Sequence, residues 1–286
     1  MPIRIYKPTS AGRRNASVNM HVEVTKKKPQ RSLLVPRPKS GGRNNQGIIT
    51  TRGRGGGVKQ MLRLIDFKRR DRDGIEATVA AVEYDPNRSA HIVLLEYADG
   101  VKRYIIAPNG LKVGKKIITS LSGVGVEPDV GNAMPLRFIP AGLDVHCVEM
   151  TIGKGATMCR GAGTYARLSN KEGDYVTLVL PSGETRKVHG DCMGTIGQVD
   201  NADHILRDLG KAGLNRLKGR RGITRGVAKS HHAHPLGGGS GRSKGNRPPV
   251  GPTGVEAKGG RTRNKKQHSS KLIIRRRVSK RYGQVK

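Results

Sequence analysis

From Ile75 onward the apolar residues fall in runs of strand length, each ended by turn residues. IEATVAAVEY (75–84) leads into the turn DPNR, AHIVLLEY (90–97) into ADG, and VKRYIIA (101–107) into PNG. Apolar and β-branched runs broken about every 8 to 12 residues by Asp, Pro, Asn and Gly predict a small closed β-barrel rather than βαβ units. A second set follows, with LDVHCVEM (143–150), TYARLSN (164–170), the hairpin DYVTLVL-PSG-ETRKVH (174–189) and CMGTIGQV (192–199). DYVTLVL alternates only in part. The pattern predicts a mainly β chain of two tandem small barrels, joined near VEPDVGNAMP (126–135). One short helix is expected in NADHILRDLG (201–210), with Asn201 as its cap, Ile205, Leu206 and Leu209 as its apolar face and Gly210 ending it. No fixed-period repeat is present, which excludes a solenoid.

Charge divides the chain in three. Residues 1–60 carry 14 Lys and Arg against one acid, residues 61–204 carry 18 against 18, and residues 205–286 carry 23 against 2, giving a net charge of +34. A neutral middle between two cationic ends predicts a folded body with basic arms that order on an anionic partner, because like charges repel along a chain. The expected regions are a basic N-terminal arm at 1–60, barrels at 61–125 and 126–200, a short helix and exit segment at 201–224, and a Gly-rich basic arm at 225–286. Deleting the chain after Gly226 is expected to leave the β part folded.

Nucleic acid is the expected partner of so much positive charge. A membrane-surface protein needs an apolar helical face or a lipid anchor, and the chain has neither an apolar run of about 18 residues nor a lipidation motif. Tyr6 and Tyr282 are the only aromatics of the two basic ends, so base stacking is not their expected mode. Arg and Lys beside abundant glycine fit phosphate contact instead, with glycine letting backbone approach closely. The opening MPIRIYKPTS has no apolar stretch, and no secretory leader is expected. Three cysteines, Cys147, Cys159 and Cys192, form no CxxC pair, which argues against a disulfide framework or zinc ribbon and for a reducing compartment.

Several motifs invite other chemistry. GAGTYA (161–166) matches a dinucleotide-binding glycine pattern but lacks the strand before it and the helix after it. RGRGGGVK (52–59) lacks the spacing and the Ser or Thr of a phosphate-binding P-loop. It fits an arm segment laid on phosphates, or a flexible linker. His146, Cys147, His189 and Cys192 lie on alternating strand positions that aim at opposite faces, so the cysteines are expected as small apolar fillers rather than zinc ligands. HHAHPLGGGSGRSKG (231–245) gathers three histidines, yet no acid stands between Asp208 and Glu256 to orient one of them. Neither catalysis, metal nor cofactor is expected. Arg88 in DPNRS and Arg160 in MCRGAGTY stand at turn tips, where a lone Arg is ordinarily a solvated surface charge.

KPTSAGRR (7–14), EYDPNRSAHI (83–92), RYIIAPNGLKVG (103–114) and GNAMPLRFIPAGLDVHCVEM (131–150) together resemble bacterial-type large-subunit ribosomal protein two. GAGTYARL, SGETRKV, LGKAGLNR, RGVAKSHHAHPLGGG and LIIRRR extend that resemblance over nearly the whole chain. It implies an oligonucleotide-binding-fold barrel followed by an SH3-like barrel, with extended arms in large-subunit ribosomal RNA. The implied work is structural: subunit assembly, joining to the small subunit and support of the peptidyl-transferase region. Neighbouring ribosomal proteins are expected partners, with tRNA as a further candidate, and the implied compartment is a bacterial cytoplasm, or alternatively an organelle.

On that resemblance, RNA contacts are expected from Lys7, Arg13, Arg14, Arg52, Arg54, Lys59, Arg88, Lys154, Arg160, Arg186 and Arg225. His234, Gly237, Gly238, Gly239, Arg242, Lys244, Arg275, Arg276 and Arg277 complete the set. The chain departs from the family pattern around His234. Ala233, Leu236 and Ser240 stand where the family has an acid, a second histidine and a glutamate. A proton relay through those neighbours loses its partners, whereas a hydrogen-bonding or stacking contact from His234 does not. Two other classes make different demands. An enzyme acting on RNA requires bound metal or turnover lost on His234→Ala, and a free RNA chaperone or translation factor requires a pool outside ribosomes.

Overall fold

A computed structural model describes residues 2–123, 126–241, 247–258, 262–264, 266–279 and 283–284. The fold is mainly β, with sheets curled in the manner of small barrels. It divides into two units: residues 1–37, 59–211 and 271–286 form the first, and residues 38–58 and 212–270 the second.

The first unit holds a four-stranded antiparallel sheet in the order Lys102–Ile106, Ile92–Tyr97, Ala77–Glu83, Lys116–Ile117. The register shifts between Val79 and Ala81, a bulge that reverses which residues face which side. Val79, Val93, Leu95, Ile105 and Ile117 pack on one face, and Ala81, Ile92, Leu94 and Tyr104 on the other. Both faces are therefore buried, which explains why IVLL reads as an unbroken apolar run rather than an alternating one. Leu33 and Ile65 cover the second face. Leu33 comes from the basic N-terminal stretch, and the following strand Leu34–Pro36 pairs with Met61–Arg63. Part of the expected arm is thus packed onto the sheet.

A seven-stranded antiparallel sheet follows in the order Ile273–Arg275, Thr185–His189, Tyr175–Val179, Ala166–Glu172, Asp144–His146, Met193–Ile196, Ala133–Pro135. Its core gathers Met134, Leu136, Ile139, Val145, Leu168, Leu178, Cys192 and Ile196. Cys192 is an apolar filler, as expected. The edge strand Ile273–Arg275 comes from the C-terminal stretch, so a truncation after Gly226 removes a sheet strand as well as basic chain.

The helix expected at 201–210 is instead a 3-10 turn at Ala202–Leu206, and Asn201 makes no capping bond. Its φ of +60° lies in the left-handed region, and its side chain donates to Ser89 O and accepts from Asn19 Nδ2, both at 2.6 Å. Ile205 and Leu206 are 87% and 65% exposed, so the apolar face has nothing to bury against. An α-helix forms at Ala212–Leu217.

The second unit is built differently. Gly55 N–H donates to Gly219 O, Val58 N–H to Leu217 O and Arg221 N–H to Gly53 O, so the RGRGGGVK stretch runs beside residues 217–221. A Cβ at Gly57 would meet Gly219 N at 2.9 Å. The glycines of RGRGGGVK thus serve close passage of two backbones within the unit. Among the described residues this unit has no buried apolar cluster.

Candidate nucleic-acid interface

The DPNR turn is organised by Asp85, which is fully buried. Its carboxylate accepts from Asn87 N–H at 2.8 Å, Asn87 Nδ2 at 2.9 Å and Arg88 Nε at 2.6 Å. A carboxylate withdrawn from water needs such donors. Arg88 is consequently held against the body rather than solvated at a tip. Its guanidinium lies 5.9 Å from the Phe67 ring centroid, and the exposed Arg160 approaches the same ring at 4.9 Å. The ring face attracts and orients both cations.

Lys154 is exposed on a second fixed turn. The buried Glu149 carboxylate accepts from Gly155 N–H at 2.9 Å, Met193 N–H at 3.1 Å and Gly153 N–H at 3.4 Å, and pairs with Arg70 at 3.3 Å. Asp85, Glu149, Phe67 and Arg70 therefore position the cationic turns, and none of them stood out in the sequence. The available signal was small: Phe67 is one of two phenylalanines, and Glu149 is an acid between the apolar Val148 and Met150.

Arg186 is placed otherwise than expected. It is 7% exposed and lies 3.5 Å from Glu184. Strand alternation puts it on the same face as the buried Val188, so it points inward. Lys7, Arg13 and Arg14 are exposed on the turn between the paired strands Ile3–Ile5 and Ser17–Asn19. Lys59 is exposed, as are Arg275 and Arg277 of the C-terminal stretch, with Arg276 half-buried.

In the second unit Arg52, Arg54 and Arg225 are exposed, whereas His234 is buried at 8% exposure. Its Nδ1 accepts from Leu236 N–H at 3.1 Å, and the ring fills the space beside Gly226, where a Cβ would sit 2.3 Å from it. Gly237 lies so close to Ser230 O that a Cβ would approach it to 2.3 Å, and Gly238 N–H donates to Lys229 O at 2.8 Å. Gly238 and Gly239 both have positive φ. Internal packing accounts for the triple glycine, and the loop holds the exposed His231 and His232 with ring centroids 3.9 Å apart. Arg242 and Lys244 lie outside the described residues.

The four residues weighed as zinc ligands do not assemble. His146 Nδ1 donates to Gly197 O at 2.8 Å, and burial pushes its pKa down to about 4. Burial pushes the Cys147 thiol up to about 12 and those of Cys159 and Cys192 to about 11. Such thiols stay protonated at neutral pH and are poor ligands and nucleophiles.

Comparison with known proteins bears on the same stretches. Residues 30–119 match the family model described as "Ribosomal Proteins L2, RNA binding N-terminal domain", and residues 129–254 match "Ribosomal Proteins L2, C-terminal domain". The chain is 57% identical to "Large ribosomal subunit protein uL2" of Rhodopirellula baltica, over 100% of this chain and 99% of that one. It is 54% identical to the protein of the same name from Salinibacter ruber, over 99% of each.

Proposed function

Since this chain belongs to the ribosomal protein L2 family, we propose that it acts as a non-catalytic, RNA-binding constituent of the large ribosomal subunit. The observation that carries the reading is the second unit. Residues 38–58 and 212–270 hold 18 Lys and Arg against the single acid Glu256, with no buried apolar cluster among the described residues. Backbone hydrogen bonds alone stabilise such a chain weakly, and its charges repel. Phosphate supplies the missing counter-charge.

The first unit offers RNA a different surface. Lys154 and Arg160 stand on turns fixed by Glu149 and Phe67, with Lys7, Arg13 and Arg14 on a separate turn. Rigid presentation lowers the entropy lost on binding. Arg88 completes the Phe67 site from its ion pair with Asp85, while Arg186 serves the sheet. The division into N-terminal arm, two barrels, exit segment and C-terminal arm belongs to the same proposal. So do ribosomal-protein neighbours, contact with the small subunit, support of the peptidyl-transferase region, tRNA as a further ligand and a bacterial cytoplasmic setting.

The test is sedimentation of the tagged full chain through a moderate-salt gradient. Recovery with large subunits is expected, and a pool that stays at the top of the gradient would overturn the proposal.

A further inference from the structure

Three segments far apart in sequence meet at a polar cavity of about 220 Å³ in the first unit, lined among others by His21, Glu23, His91 and Asp200. His91 and Asp200 are buried at 1% and 4% exposure, while the Glu23 side chain is 54% exposed at the cavity mouth. His91 Nδ1 lies 2.7 Å from Asp200 Oδ2 and 3.5 Å from Glu23 Oε2. One donor atom from each of the three residues falls within 4.8 Å of the others. Donors ~2.0 Å from a tetrahedral zinc ion stand ~3.3 Å from one another, so the two histidine distances bracket that spacing.

The arrangement has two further marks of a cation site. The ligand oxygens of Glu23 and Asp200 lie within 4.8 Å of each other, a spacing that one cation can bridge. His91 Nε2 lies 2.9 Å from His21 Nδ1. His91 Nδ1–H donates to Asp200 Oδ2 at 2.7 Å, so a cation binding here takes the place of that proton, and His21 on the far nitrogen then holds the ring as partners of metal-bound histidines do.

We propose that Glu23, His91 and Asp200 bind one divalent transition-metal ion, with His21 orienting His91 and water from the cavity completing the shell. One imidazole with two carboxylates suits Zn²⁺. The ion ties the N-terminal stretch, the start of strand Ile92–Tyr97 and the chain entering the 3-10 turn into one point. It is a structural staple.

The test is calorimetric titration of the EDTA-washed full chain with ZnCl₂ at pH 7.5. One tight equivalent is expected, weakened more than about tenfold by Asp200→Asn and by Glu23→Gln, and about ten- to a hundredfold by His21→Phe. The double variant His231→Ala/His232→Ala, whose rings stack elsewhere, is expected to keep that equivalent. Glu23 is exposed, so Glu23→Gln carries the test if circular dichroism shows Asp200→Asn to be misfolded. Absence of a tight equivalent, or one unchanged in Glu23→Gln, would overturn the proposal.

Discussion

Asp85, Glu149 and His146 are buried polar residues; the two carboxylates are satisfied by backbone N–H groups and adjacent cations, whereas His146 is bonded only through Nδ1 and its buried Nε2 has no partner among the described residues. Their position decides their chemistry. His146 gives a measurable consequence, because its folded pKa of about 4 lies below the ordinary value of about 6.5. The unfolded chain then binds a proton that the folded chain refuses. Its contribution is complete above pH 6.5 and is lost as pH falls toward 4, amounting to about 3 kcal/mol. Thermal denaturation between pH 7 and 4 should therefore show a steeper stability loss than in His146→Asn, which keeps a donor but does not titrate. Equal slopes would assign the acid sensitivity elsewhere. Strand alternation in TRKVH already pairs Arg186 with Val188, so its inward aim was legible in sequence. The burial of His234 was not, since it depends on Gly226 standing eight residues earlier at ring contact.

At the scale of elements, strand runs such as AHIVLLEY and DYVTLVL map onto the sheets because a buried strand must supply apolar side chains whatever surrounds it. NADHILRDLG carries capping and apolar signals too, but Asn201 spends its side chain on Ser89 and Asn19 and the apolar residues have no facing surface. Local signals did not reveal the tertiary claim on that cap. Charge counting likewise assigned Ile273–Arg275 to an arm, although it pairs with Thr185–His189 at the sheet edge. Removing residues 271–286 should leave a folded sheet whose midpoint of thermal unfolding falls by a few degrees, since one edge strand is lost from seven. An unchanged midpoint would show that the strand adds nothing, and complete loss of the β signal would show that the sheet cannot close without it.

Over the whole molecule, two kinds of stability coexist. The first unit buries apolar clusters in both of its large sheets, while the second is knit by backbone bonds and tight glycine passages under a heavy positive charge. On the proposed function, the second unit depends on RNA for its stability, because its positive charge has no counter-charge of its own. That dependence is tested most directly by amide hydrogen exchange on the free chain and on the chain bound to large-subunit ribosomal RNA. Amides of Leu95 and Leu168, deep in the sheets, should be protected in both states. Those of Gly55, Val58, Arg221 and Gly238 should exchange rapidly in the free chain and become protected on RNA. Equal protection of these four amides with and without RNA would contradict the account.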